Sequence, residues 1–467
     1  MMSGASQYGH AAQEQFDKRP CNGPAWLEAL RRESLEAFAQ IGFPTPKQEM
    51  WKYTNVAPIT RRPFRSLVAT NADANDLRAA IHTRMAALPA NDHVAVLVDG
   101  ILVSHASRLA GLPQGVLVAR LDQLVVEQED LIEPVMGRIA HFHEHAFVAL
   151  NTALHTGGVG VLVPRGAKVE HPIHLLHVSS GRGNTPQESP EPRFDAASYP
   201  RVAVFLAPES TMTLVEHFVP GAAGAQEYLC NGVTELSVGA NARLDHYTLQ
   251  QQHPRSFHLH TVGIRLQRSA SYASHSLSTG AALARNVIRA HLWGAASTCD
   301  LNGIYLGRGS QHVDNHLRVD HSQPHCRSAQ VYKGVLDDHA EGVFSGCVFV
   351  AKDSQKTSAR QLNRNLLLSK SAAANTRPTL EILADDVACS HGATVGRLDE
   401  EALFYLRSRG VDAASARRML TYAFAADVLD LAGNADMRDF MRAQVMAWLS
   451  PSEAEASEGT LARGDTP

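Results

Sequence analysis

The 467-residue chain holds only six cysteines, and none of them forms a CxxC or CxxxC pair. That scarcity excludes a disulfide framework and makes the reducing cytoplasm the expected compartment. A surplus of positive charge is missing as well. The 43 Lys and Arg stand against 47 Asp and Glu, a formal net charge of -4, which supplies no basic field for nucleic acid. No apolar stretch approaches the roughly 18 to 20 residues that a membrane span requires. The opening MMSGASQYGHAAQEQF has no apolar h-region, so neither a membrane partner nor a secretory signal is expected. Nucleotide chemistry finds no foothold: GxxxxGK[ST] is absent, and GIYLGRGS at 303–310 lacks both the lysine and a following helix start. GxSxG and a credible Cys-His-Asn set are absent too, which leaves hydrolase chemistry without support. Energy from ATP, if used, must enter through another subunit.

What is present is a change of texture along the chain, which is long enough for two or three domains. Residues 1–22 are small and polar and read as a disordered tail. Residues 23–148 read as a mainly helical N-terminal domain. A helix over about 24–40 carries Leu27, Leu30, Phe38 and Ile41 on one side and stops at Gly42 and Pro44. Trp51 and Tyr53, in EMWKYTNVAPI, read as packing residues. A second helix over 74–87 precedes a strand over 93–98, which ends at the Asp99-Gly100 turn signal. In HFHEHAF, His141 and His145 would lie one helical turn apart, but the His-Glu-x-x-His order of a zinc protease is missing. The plain reading there is a partly solvated helix.

From 149 to 396 short alternating segments take over, at 160–163, 201–207, 211–218, 243–249, 257–266, 285–292, 312–319 and 343–350. A mobile loop is expected near 181–198, which is rich in Pro, Ser, Glu and Gly. Periodicity makes this core all-β and leaves sandwich, barrel and solenoid open, because no strict repeat length emerges. Residues 397–450 read as a helical domain. Asp399 caps its first helix, with Leu398 and Leu403 placed as a hydrophobic staple and Gly410 as the C′ residue. Asp412 caps a second, striped with Met419, Leu420, Phe424 and Val428, and Met437, Phe440, Met441, Val445, Trp448 and Leu449 repeat the pattern in a third. Met-rich faces suit adaptable partner sites. Residues 451–467 form a polar tail.

The stretch that concentrates chemistry is 379–395. Alternation of Leu380 and Ile382, then Val387 and Cys389, suits extended chain, so Cys389 and His391 share a face roughly 6.5 Å apart. A thiolate and an imidazole could then reach one metal or cluster. The bland alternatives are a buried small hydrophobe and a hydrogen-bonded turn residue. A rival metal face combines His312, Asp314 and His316, with His321, His325 and Cys326 close by. His171, His174 and His177 flank a proline and make a weaker pattern. Cys230, Cys299, Cys326 and Cys347 read as core residues.

The run ADDVACSHGATVGRLDEEALFYLRSRG, with NRNLLLS before it and MLTYAF after it, resembles the C-terminal core of the SufB/SufD family of the SUF iron–sulfur cluster assembly system. Collinear likeness extends to EMWKYTNV, NTALHTGGVGVLVPRGAKVEHPIHL and HSQPHCRSAQVYKGVLDDHAEGVFSG, and VGRLDEEALFY at the helix start favours the SufD side of the family. The resemblance implies a mainly β fold, a right-handed parallel β-helix flanked by N-terminal helical (α/β) and C-terminal helical domains. It implies a non-catalytic scaffold subunit that pairs with a SufB-like subunit and binds a SufC-like ABC-type ATPase. On this reading Asp399, Leu403, Phe404, Tyr405, Leu406, Arg409 and Phe424 serve the ATPase contact. His391 and Cys389 become ligands of a transient iron–sulfur cluster shared with the partner, since such clusters need about three or four protein ligands and this strand offers two. No permanent cofactor is implied; a flavin in the complex and a homodimer in the partner's absence stay open. The alternatives are a β-solenoid or cupin-like metalloenzyme using His312, Asp314 and His316, and a SufB-like primary scaffold.

Overall fold

The computed structural model describes residues 4–18, 23–62, 64–66, 75–143, 145–181, 195–221 and 227–450. From Val159–Val163 to Val387–Gly396 the chain winds as a parallel β-helix of about seven turns, each turn giving one strand to each of two sheets. Along one sheet, Leu229 lies beside Phe257, then Leu283, His312, Glu341 and Ala373, in steps of 28, 26, 29, 29 and 32 residues. Register holds while coil length varies, which is why the sequence presents no strict period.

One corner absorbs the turn in the same way in successive coils. Glu209, Asn241, Ser269, Ala296, His325 and Lys356 all have φ between 56° and 66°, the left-handed region that side chains usually avoid. Each donates its backbone N–H to a carbonyl of the next coil, as from Glu209 to Ala240 at 2.9 Å and from His325 to Gln355 at 2.9 Å. The hydrogen bond offsets a conformation costing about 1 to 3 kcal/mol.

The lumen is divided. Leu175, Leu214, Leu236, Leu244, Ile264 and Leu292 belong to one continuous apolar cluster. Elsewhere inside, Glu216 accepts from His177 at 3.1 Å, His246 at 3.0 Å and Thr234 at 3.0 Å. The N-terminal helices cover the outside of the first turns. They are fastened by buried Glu235, which pairs with Arg201 and accepts the backbone N–H groups of Gly137, Ile139 and Ala140 at 2.8 to 3.0 Å.

The expected elements recur with three differences. Helix Gly4–Lys18 occupies most of the segment read as a disordered tail, and its Ala12 is fully buried. His141 and His145 are not on a helix: the helix begins at Ala146, with His145 extended at its N-cap. Of the loop expected near 181–198, residues 182–194 lie outside those described, and Asp195–Ser198 is a strand paired with Phe64–Ser66. The polar tail from 451 also lies outside the described residues. Three C-terminal helices, Glu400–Ser408, Ala413–Leu429 and Ala435–Leu449, follow the expected plan. Asp399 accepts from the N–H of Glu401 at 2.9 Å, Asp412 from that of Ser415 at 2.9 Å, and Gly410 has φ 87°.

Candidate functional site at the open end of the coil

The two final strands have a neighbour on one side only. Ala373–Ile382 pairs with Glu341–Val350, and Val387–Gly396 with Thr357–Leu367; among the described residues no strand covers their outer edges. In earlier turns the lumen-facing side chains are sealed by the coils on either side. Here they are not. Cys389 is in register with buried Ala359 and His391 with buried Gln361, so both lie on the lumen side of the strand, as alternation predicts. His391 is exposed and Cys389 half-buried, resting against a small apolar group that includes Val348, Val350, Ala359 and Ala384. Burial pushes the Cys389 thiol up from its ordinary value, with a backbone hydrogen bond at Ala359 partly offsetting it. That shift favours the neutral thiol over the thiolate. Among the described residues, no group of three or more His, Cys, Asp or Glu is placed to hold a metal. The open end presents two side chains of ligand type, Cys389 and His391.

The rival face is differently employed. His312, Asp314 and His316 do share the outer surface of one strand, where the EMWKYTNV segment packs on them. Thr54 Oγ1 donates to Asp314 at 2.6 Å and lies 3.0 Å from His312 Nε2. Arg285 pairs with Asp314, donates to the Met50 carbonyl at 3.0 Å and stacks 3.8 Å from the Trp51 ring centroid. Burial, together with Arg285 and Arg289, holds the His316 imidazole well below its usual range. This is a fastening in which Asp314 Oδ2 takes both the Arg285 guanidinium and the Thr54 hydroxyl, while Oδ1 and His316 Nδ1 have no hydrogen-bond partner among the described residues. Trp51 packs as expected, whereas Tyr53 is 41% exposed. His325 is a corner residue, and His321 bonds Ser328 at 2.9 Å. His174 is bound to Asp92 at 2.8 Å. Cys230, Cys299 and Cys326 are buried, and Cys347 is half-buried.

The C-terminal helices lie on the outside of the second sheet, with Ala425, Val428, Leu429, Met437, Met441 and Val445 packed over Val215, Tyr247, Leu249, Leu277 and Ile304. Phe404 is 74% and Tyr405 57% exposed, with the Arg409 guanidinium 5.1 Å from the Tyr405 ring. Leu406 is partly covered. Leu403 and Phe424, expected at the same surface, instead pack inward, and Asp399 is committed to its cap. The first half of the Ala373–Ile382 edge strand was not expected. Pro378 was the available signal, since proline within a sheet is confined to edges, strand starts and bulges.

These features define a class: a parallel β-helix that ends in an uncovered coil bearing a cysteine and a histidine, with apolar helices on its flank. The chain belongs to the SufBD family of iron–sulfur cluster assembly proteins. The model for the "SUF system FeS cluster assembly, SufBD core domain" matches residues 188–424, and that for the "SufBD protein N-terminal region" matches residues 2–175. The iron–sulfur cluster assembly protein SufD of Escherichia coli is 31% identical over 85% of this chain and 88% of its own length. The chloroplastic protein ABCI7 of Arabidopsis thaliana is 30% identical over 91% of this chain and 86% of its own. A SufBD family protein of Synechocystis is 30% identical, covering 86% of each. No helix among the described residues is long and apolar enough to cross a membrane.

Proposed function

We propose that the chain is a non-catalytic scaffold subunit that pairs through its open coil with a SufB-like subunit and carries a SufC-like ATPase on its C-terminal helices. The cargo is a nascent iron–sulfur cluster. His391 supplies an imidazole lone pair and Cys389 a thiolate once iron or a cationic partner group offsets its burial. The second chain completes the ligand set, and motion driven by ATP in the docked subunit opens and closes the seam. The observation that carries this reading is the placement of Cys389 and His391 together on the lumen side of a strand that, among the described residues, no further coil covers. A cytoplasmic or equivalent reducing compartment fits an unpaired, ligand-bearing thiol.

The test is co-expression with SufB-like and SufC-like proteins. His391→Ala should leave the complex assembled and lower its cluster content about tenfold or more, the scale on which metal sites respond to altered ligation. Unchanged cluster content would overturn the ligand assignment. Phe404→Asp with Tyr405→Ser should release the ATPase while the fold survives, since exposed positions usually move stability by within about 0.5 kcal/mol. Deleting the helices would be a poorer test, because they cover apolar strands. The metalloenzyme alternative at His312, Asp314 and His316 is disfavoured by the geometry, in which Thr54 of the EMWKYTNV segment bonds Asp314 and His312 and Arg285 pairs with the Asp314 carboxylate.

A further inference from the structure

The open coil has a polar floor. Directly beneath His391 in the stack lies Gln361, and beneath Gln361 lies Gln330, each the register partner of the one above. Gln361 is 1% and Gln330 0% exposed. Gln361 Nε2 donates to Gln330 Oε1 at 2.7 Å. That orientation polarises the pair: Gln361 Oε1 is left as a buried acceptor without a partner, and Gln330 Nε2 as a buried donor without one. The facing sheet is shaped to admit the two amides. Gly346 stands opposite, and a Cβ there would collide with Gln361 Nε2 and lie 3.0 Å from Gln330 Oε1.

A buried amide oxygen without a donor costs about 1 to 3 kcal/mol. A lumen that keeps one directly below an exposed imidazole holds an acceptor in reserve. His391 occupies the next register position on the same face, one strand spacing of about 4.8 Å along the stack. Histidines that bind metal commonly donate their second ring N–H to an oxygen acceptor, which fixes the tautomer and aims the remaining lone pair.

We propose that Gln361 is a positioning residue for His391: its Oε1 accepts one ring N–H of His391, leaving the other ring nitrogen as a lone pair directed out of the open coil. This rests on the reading of His391 as a cluster ligand. Gln330 orients Gln361, and Gly346 makes room for both. Gln361 itself touches neither iron nor sulfide.

The experiment has two readouts. The first is the ring nitrogen chemical shifts of His391 in the isolated full chain, labelled with 15N-histidine and assigned by comparison with His391→Ala, at a pH where the ring is neutral. The wild type should show one dominant tautomer and Gln361→Leu a mixture. Gln361→Glu, which keeps an acceptor at the same reach, should restore the wild-type pattern. The second is cluster content of the co-expressed complex, expected to fall about tenfold in Gln361→Leu and to recover in Gln361→Glu. Leucine keeps the lumen filled, and an unchanged melting temperature separates positioning from misfolding; if that variant is destabilised, Gln361→Met takes its place. Identical His391 tautomers in wild type and Gln361→Leu would overturn the inference even where His391→Ala abolishes assembly. A tautomer shift alongside a silent His391→Ala would sustain it and defeat the ligand reading instead.

Discussion

Asp99 turns the chain between His93–Val98 and Ile101–Leu102, with φ 50° at Asp99 and 88° at Gly100, the two left-handed residues that a tight hairpin needs. Its carboxylate accepts the N–H of Ser180 at 2.9 Å, yet burial pushes its pKa up to about 6, with the bonds to Ser180 only partly offsetting this. The unfolded carboxyl ionises near 3.9. The folded state therefore binds the proton more tightly. Stability is full below about pH 4, falls as pH rises toward 6, and stays at the lower level above it. Asn tolerates the same backbone and keeps an acceptor for Ser180. Asp99→Asn should accordingly stabilise the protein by about 1 to 3 kcal/mol at pH 7.5 and by about zero at pH 3.5, read from urea unfolding. An equal effect at both values would show that burial of the charge is not the cause. Such a residue was legible in the sequence because Asp-Gly specifies its turn locally. The face shared by Cys389 and His391 was legible too, from two-residue alternation. Gln361 was not: its meaning depends on register partners about thirty positions away and on a glycine across the lumen.

Elements differ in how much of themselves they declare. The first two C-terminal helices announce their starts through Asp399 and Asp412, each of which accepts a backbone N–H of the first turn; Asn434, which reads as a helix end, caps the third in the same way. Strands such as Ser271–Ser278, SYASHSLS, do not announce themselves, since this lumen takes Ser274 and Ser276 inside and the apolar alternation never forms. Helix Gly4–Lys18 was hidden by its polar composition. What no pattern conveyed is how the helices are held. Lys333 rises from the Arg327–Leu336 strand into helix Ala413–Leu429 and is only 4% exposed at its side chain. It donates to the Phe424 carbonyl at 2.7 Å, lies 4.5 Å from the Phe424 ring centroid and pairs with Asp427. Lys333→Met keeps the bulk and deletes the bonds. About 1.5 to 3 kcal/mol of docking should be lost, the range for hydrogen bonds involving a charged group. Hydrogen exchange should speed up in Ala413–Leu429 and stay unchanged in Arg327–Leu336; equal protection in both variants would mean that the apolar contact alone holds the helix.

At the scale of the whole molecule, the β-helix is a stack in which each coil touches chiefly its two neighbours, so stability is close to a sum of coil and interface contributions. The all-β texture was readable from periodicity, but the winding was expected only from the family resemblance, because steps of 26 to 32 residues blur the period while the corner bonds and strand register carry the order. The stack has an unequal pair of ends. At the first turns, short antiparallel strands Ile101–Leu102 and Leu117–Arg120 close the two sheets. At the other end nothing among the described residues closes Ala373–Ile382 or Val387–Gly396. A coil with one neighbour lacks half of its interface energy, and its edge N–H and C=O groups face water. In the isolated chain, Val387–Gly396 should therefore exchange its amide hydrogens at least tenfold faster than Ser271–Ser278, which is paired on both sides. Addition of a SufB-like subunit should slow that exchange toward the interior rate, because a second sheet would supply the missing neighbour. If the terminal coil is as protected alone as the central ones, it is already complete, and a partner that finishes the sheet around His391 and Cys389 becomes unnecessary.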